Sequence, residues 1–298
     1  MRQALAYAYD REWTNRVQGH GTYLPSDTYF AGSDLAQQGP PSEAERALLE
    51  PYRAQLPAEL FERGFALPRT PGVGRNRNNL RVAARLLREA GYVLRDGVLV
   101  NARSGEPLRV DMLLEDASRI RMTLHYVDAL RRLGIESTQR VLDPAQFINR
   151  RRALDFEMIY VFYPMSITPG TLLRSYFSST SAASPYAQNY AGVQSPVVDG
   201  LLEKVLGAKT VEEHAVACRA LDRVLLWGYY MIDLGYQPGV RYAHWDRFGR
   251  PAVRPRFNLG FPHTWWLDAE KDARIRAGDR PRTRGAEVWD ATCCAACS

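Results

Sequence analysis

Residues 107–163 read PLRVDMLLEDASRIRMTLHYVDALRRLGIESTQRVLDPAQFINRRRALDFEMIYVFY, and this stretch decides the fold. Its first nine residues, 107–115, are rich in branched apolar side chains and read as a strand, paired with a shorter strand at 98–100 around an Arg-Ser-Gly-Glu turn. Helical spacing then takes over from 118 to 133 and stops at Gly134. A strand follows at 135–142. Asp143-Pro144 supplies a cap and a first-turn proline for a helix over 144–153. Phe156–Tyr163 returns to a strand. Strands alternating with helices predict an α/β domain whose mixed sheet is flanked by helices.

The flanking sequence extends this pattern. Upstream, Asn79–Ala90 is an amphipathic helix with Leu80, Ala83, Ala84, Leu87 and Ala90 on one stripe and Arg81, Arg85 and Arg88 on another. Residues 2–17 read as one helix, and Ser42-Glu-Ala-Glu45 is a capping box that opens another. Downstream, Pro169-Gly170 starts a short helix to Phe177, and helices are expected over 197–207 and 211–227. Residues 229–248 are aromatic and strand-like, Phe261–Leu267 is the last patterned stretch, and 270–298 loses hydrophobic periodicity.

Composition narrows the functional class. The chain has 298 residues, 46% hydrophobic and 24% charged, which excludes wholesale disorder, a collagen-like repeat and a disulfide scaffold. No apolar run is long enough for a membrane-spanning helix. The net charge is +6, yet every cation except Lys204, Lys209 and Lys271 is arginine, which fits GC-rich coding more than a selected surface. The arginines between Arg241 and Arg256, interleaved with Trp245, Phe248 and other aromatics, leave a basic nucleic-acid-binding module as the alternative reading. Cys218 falls in a helical apolar pattern and reads as a small core residue. Cys293, Cys294 and Cys297 crowd the end without a second pair or a histidine, so a frayed tail is expected there and no metal site. No glycine-rich phosphate loop and no nucleophile elbow occurs, the five histidines are scattered, and Asp155 and Glu157 share a strand face without a partner base. No enzyme and no cofactor is expected.

Several short stretches recur in a fixed order: Arg2-Gln-Ala-Leu-Ala-Tyr-Ala-Tyr-Asp-Arg-Glu-Trp13, Tyr29-Phe-Ala-Gly-Ser-Asp-Leu-Ala36 with Gly39-Pro-Pro-Ser42, and Leu48-Leu-Glu-Pro51. Then come Leu86-Leu-Arg-Glu-Ala-Gly-Tyr92 with Asp96-Gly97, Gly105-Glu-Pro-Leu108, Leu133-Gly-Ile-Glu136 and Asp155-Phe-Glu157. Thr168-Pro-Gly170, Pro196-Val-Val-Asp199, Ala220-Leu-Asp-Arg223 and Trp245-Asp-Arg-Phe-Gly249 complete the set. Together they resemble the family 5 extracellular solute-binding proteins, the receptors of peptide ABC importers, and within them the oligopeptide and microcin-C-type subgroup. The likeness covers about residues 2–267.

The resemblance implies the C-terminal half of a truncated type II (cluster C) two-lobed periplasmic-binding-protein fold. Residues 1–228 would form the second, ligand-binding lobe, 229–267 the strands crossing back toward a partly missing first lobe, and 268–298 an irregular tail. It further implies a monomeric, periplasmic, non-enzymatic component of an importer that grips a peptide or peptide-like ligand in a hinged cleft and presents it to a membrane permease, with no nucleic acid involved. In peptide-binding members an acid shortly after the strand beginning near Phe156 holds the ligand's α-amino group. Here that segment is Tyr160-Val-Phe-Tyr-Pro-Met-Ser-Ile-Thr-Pro-Gly170, with Ser166 in the acid's place, and the run after Pro-Gly is Thr171-Leu-Leu-Arg174. Both departures count against recognition of a free amine. Tyr160, Tyr163, Ser166, Gln146, Arg150 and Arg174 are the expected cleft-wall residues.

Overall fold

A computed structural model describes residues 1–166, 168–237, 239–253, 255, 259–278 and 288–290. The chain parts into two compact units, Met1–Gly235 and Tyr236–Ser298. The first opens with α1 (Arg2–Ala8) and α2 (Arg11–Val17) in place of the single helix expected over 2–17. Asp10 makes the break: it leaves helical geometry, and its carboxylate accepts the Trp13 amide at 3.0 Å, capping the second helix. After a long loop come α3 (Glu43–Leu49), capped by Ser42 as its S-x-x-E signature predicts, a 3-10 turn (Glu50–Gln55), α4 (Glu59–Glu62) and α5 (Arg77–Glu89).

Strands β1 (Tyr92–Arg95) and β2 (Val98–Asn101) form an antiparallel hairpin. Its turn is Asp96-Gly97, both at positive φ (49° and 82°), the geometry a two-residue hairpin loop needs. Strand β1 was not anticipated, although the Asp-Gly pair before a strand is its signal. Then follow β3 (Arg109–Leu114), α6 (Ser118–Arg132), β4 (Glu136–Val141), α7 (Pro144–Ala153) and β5 (Met158–Ile159). These three strands make a parallel sheet ordered β4-β3-β5, with Leu113 opposite Arg140 on one side and Ile159 on the other. The hairpin lies beside it, tied by a Val100–Pro107 bridge and by Leu99 N donating to the Gly134 carbonyl at 2.7 Å. Parallel and antiparallel pairings thus occupy separate small sheets. The unit closes with α8 (Leu172–Phe177), α9 (Pro196–Gly207) and α10 (Val211–Trp227).

Two apolar clusters hold this unit together. In the first, Val110, Met112 and Leu114 on one face of β3 pack with Leu87 of α5, Tyr126, Val127 and Leu130 of α6, and Ala4 and Ala8 of α1. In the second, Val198, Leu201, Leu221 and Leu225 of α9 and α10 pack with Leu49, Phe61, Phe65, Tyr176 and Phe177. Each large side chain taken out of water contributes about 1.5–3 kcal/mol. Helix α1 lies between the two, with Ala6 facing the second cluster; among the described residues only Ile232 packs partly buried against both.

Helix α10 also buries two charged residues, Asp222 and Arg223. Asp222 accepts the Thr28 hydroxyl (2.6 Å) and the amides of Tyr29 (2.8 Å) and Gln37 (2.9 Å). Burial nevertheless pushes its pKa up to about 6. Arg223 donates to Glu45 (2.6 Å), to the Gln37 side chain and to the carbonyls of Gln38, Gly39 and Pro40. The guanidinium thereby spends its donors on three successive loop carbonyls and ties the loop to α10.

The second unit contains β6 (Gly239–Arg241) paired with β9 (Val288–Asp290), β7 (Phe248–Gly249) paired with β8 (Trp266–Leu267), and α11 (Ala269–Arg276). The strand-like reading of 229–248 therefore survives only in short pieces. Helix α11 falls where no regular element was expected: Asp268 caps the Lys271 amide, and buried Asp272 pairs with Arg276 (2.8 Å) and Arg247 (3.5 Å). The expected cysteine tail at 293–297 lies outside the described residues. Cys218 is buried and its thiol is pushed up to about 12, chiefly by desolvation, so it behaves as packing. Among the described residues no helix is long and apolar enough to cross a membrane, and no group of three metal-ligating side chains converges.

Candidate ligand-binding site at the carboxyl end of the parallel sheet

In an open α/β sheet, ligands sit outside the carboxyl ends of the strands where the strand order reverses. Here β3 leads through α6 to β4 on one side, and β4 leads back through α7 to β5 on the other, so the reversal lies at the ends of β3 and β5. Two segments emerge there: Glu115-Asp116-Ala117 before α6, and the stretch beginning at Tyr160.

Tyr160 donates its amide to the Leu113 carbonyl at 3.1 Å, just beyond the last β5 rung. Its ring packs partly buried on the first apolar cluster, and the Arg119 guanidinium lies 4.9 Å from the ring centroid. Burial raises the phenol pKa, with Arg119 opposing and the nearby Tyr23 and Asp116 adding to the rise. Asp116 accepts both the amide (2.8 Å) and the hydroxyl of Ser118 just before α6, and these bonds hold its carboxyl below the ordinary value. Its second oxygen lies 3.4 Å from Arg119 Nε. Further along α6, His125 stacks on Trp13 of α2 at 4.0 Å, and desolvation lowers the imidazole pKa.

The expected wall residues separate into groups. Tyr163 turns inward from the same segment as Tyr160 and packs on the second cluster against Tyr176 (5.1 Å), Phe177 and Tyr190, so residues 160–163 bridge the two cores. Phe162 between them is 82% exposed. Ser166 is exposed, and its hydroxyl accepts the Thr168 amide at 3.1 Å. Gln146 and Arg150 lie one turn apart on α7. Arg150 lines a cavity of about 270 Å³ with Asp111, Leu113, Arg140, Asp155 and Glu157, its Nε 3.7 Å from Asp155. Arg174 is exposed on α8 and gives two bonds to Glu203 of α9 (2.7 and 2.9 Å). The structure therefore brings Tyr160 to the strand reversal and keeps Gln146 with Arg150 on one helix. It does not bring Tyr163 or Arg174 to the same spot. Arg119 and Asp116 were missed; the signal available was Asp116 two residues before Ser118, an Asx-turn pattern at a helix start.

The arginines behind the nucleic-acid alternative are engaged where described: Arg247 pairs with Asp272 and Arg250 lies over the Trp265 ring. Trp227, Tyr229 and Tyr230 pack on the second core.

Residues 1–184 match the family described as bacterial extracellular solute-binding proteins, family 5 Middle. The chain is 37% identical over 281 residues to the uncharacterized protein YejA of Escherichia coli, covering 94% of this chain and 46% of that protein. It is 36% identical over 266 residues to the probable peptide-binding protein YejA of Agrobacterium fabrum, covering 89% and 43%. It thus spans under half the length of these relatives. Its fold superposes on the oligopeptide-binding protein AppA of Bacillus subtilis, solved with a nonapeptide, with a TM-score of 0.65 at 16% identity over 89% of this chain and 47% of AppA. The strand order, the paired cores and the ordered stretches from Arg2 onward belong together for one reason: this chain is a member of the family 5 bacterial extracellular solute-binding proteins.

Proposed function

We propose that this chain supplies one wall of the ligand cleft of a periplasmic receptor that binds peptides or peptide-like solutes and presents them to the membrane permease of an ABC importer, without chemical change. The observation that carries the reading is the strand-order reversal at β3 and β5, where Tyr160 leaves the sheet beside Arg119 and exposed Phe162 and Ser166 follow. The Agrobacterium relative's name and the nonapeptide bound to AppA support peptide as the ligand class. An extended ligand placed there would satisfy its main-chain polar groups by direct or water-bridged hydrogen bonds, which gives affinity with little side-chain preference. Closure of a second wall would then display a shape found only in the loaded receptor. Tyr160 and Ser166 are the proposed wall groups, Gln146 and Arg150 the flank, and Tyr163 the anchor of their segment on the second core, while Arg174, paired with Glu203, stands apart. A backbone NMR titration of the chain with millimolar trialanine tests this. Saturable amide shifts confined to residues 115–120 and 160–168 are expected; shifts absent there, or spread over the surface without saturation, would sink the reading.

A further inference from the structure

Helix α5 carries four exposed arginines, Arg77, Arg81, Arg85 and Arg88. At about 100° per residue they fall within roughly 80° of arc and along about 16 Å of axis. That arc is turned away from the side that buries Ala83 and Leu87. The Ala102 amide donates to the Gly91 carbonyl at 2.9 Å, which sets exposed Arg103 beside the end of the same helix. Glu89 is the one acid on α5, and it pairs with Arg85 at 2.7 Å. Arg77, Arg81, Arg88 and Arg103 have no ion-pair partner among the described residues. The helix gains nothing from this row by itself. Arginines four apart repel one another, and Arg77 stands in the first turn, where the helix dipole disfavours a cation. Arginine-rich coding accounts for the residue type, but not for four on one side against one acid. An external anionic surface would offset the repulsion.

We propose that the exposed side of α5 is a docking surface for an anionic phospholipid bilayer, separate from the ligand cleft. A protein interface buries an apolar centre, and α5 exposes no large hydrophobic side chain. A groove for single-stranded nucleic acid adds aromatic rings on which bases stack, and α5 has none. A bilayer needs neither. Its summed headgroup charge attracts cations near the surface, and the planar guanidinium matches a phosphate through two hydrogen bonds. Each unpaired arginine there multiplies binding about fivefold, so Arg77, Arg81 and Arg88 together give about a hundredfold. The assignment stands on α5 alone and does not depend on what the cleft binds.

The test is co-sedimentation of the full chain with vesicles of phosphatidylcholine alone, or mixed in equal parts with phosphatidylglycerol. It is run at about 0.01 M and about 1 M salt, where the Debye length is about 30 Å and about 3 Å. At low salt the chain is expected to bind the anionic vesicles about a hundredfold more tightly than the neutral ones, and at high salt to release them. Arg77→Gln, Arg81→Gln and Arg88→Gln combined should remove at least about tenfold of that preference, whereas lysine at the same three positions should keep most of it. Arg121→Gln, Arg152→Gln and Arg274→Gln combined give the same net charge and should bind as the parent does. Matching circular dichroism spectra and melting points confirm that the variants fold; if the α5 triple melts early, Arg81→Gln alone, expected to lose about fivefold, is read in its place. Equal losses in the two glutamine triples, or vesicle binding untouched by the α5 changes, overturn the assignment. Retention on heparin or duplex DNA with no preference for anionic vesicles overturns it as well, in favour of another polyanion.

Discussion

Replacing Arg223 with methionine tests the polar anchor that fixes the loop between α2 and α3. The side chain is fully buried and donates to five acceptors: Glu45, the Gln37 side chain, and the carbonyls of Gln38, Gly39 and Pro40. Methionine fills similar space but donates nothing. Glu45, itself buried, would keep only its bond from Arg219 at 3.0 Å, and three carbonyls would lose their donors. Breaking a buried ion pair costs about 3–5 kcal/mol, and the lower figure applies because Arg219 still neutralises Glu45. For a unit of this size about 3 kcal/mol corresponds to a melting point lower by roughly 6–12 °C. The assay is thermal unfolding followed by far-UV circular dichroism, repeated for Glu45→Gln and for the double variant. Because both changes break one contact, the double variant should lose at least about 1 kcal/mol less than the sum of the singles. Amide exchange at Gln37 to Gly39 should rise in the Arg223 variant. A melting point within about 2 °C of the parent, or strict additivity in the cycle, would refute the assignment of loop order to Arg223.

Other outcomes follow from single residues. Gly134 has φ +82°, and an added Cβ would meet the Gly97 carbonyl and the Leu99 amide, both at 3.0 Å, so Gly134→Ala should cost about 2 kcal/mol or more in urea unfolding. Asp233, largely shielded beside Arg11 and Asp27, has its pKa raised from 3.8 to about 6 by desolvation. The native state therefore binds this proton more tightly than the unfolded chain, and the contribution of Asp233 to stability falls as pH rises from about 4 to about 6, by up to about 3 kcal/mol, then stays level. Stability measured across that range should decline less in Asp233→Asn than in the parent. Arg174 and Glu203 form an exposed pair, so Arg174→Ala should leave unfolding free energy within about 1 kcal/mol of the parent.

The alternating elements between residues 107 and 163 were legible because each is punctuated by a residue with one local meaning: Gly134 stops α6, and Asp143-Pro144 starts α7. Where tertiary contacts decide, the pattern failed. Residues 2–17 have continuous helical composition, but Asp10 serves Trp13 and Thr70, which breaks the helix. Phe156–Tyr163 looks like a full strand, yet only Met158 and Ile159 pair, because the segment leaves the sheet to join the second core through Tyr163. For the site, Tyr160 was readable only through the family resemblance, since the sequence pattern placed it inside the expected strand Phe156–Tyr163. Arg119 was not, since nothing local marks one arginine on an arginine-rich helix as the one that a tyrosine 41 positions later holds in place. The burial of the charges on α10 was likewise hidden: Asp222 and Arg223 entered only as part of the stretch Ala220–Arg223, and nothing local shows the loop that they satisfy.

Ile232 touches both apolar clusters, beside α1 and the 160–163 segment that also link them, and this join bears on how the first unit should melt. With the isoleucine intact, each half's collapse exposes part of the other, and heat absorption should trace one peak whose calorimetric and van't Hoff enthalpies agree. Trimming it to alanine weakens the shared hinge while leaving each half its own interior, so the trace should broaden or divide into a doublet. Together with α1 and the 160–163 segment, this isoleucine would then set how far the region behaves as one cooperative body or two.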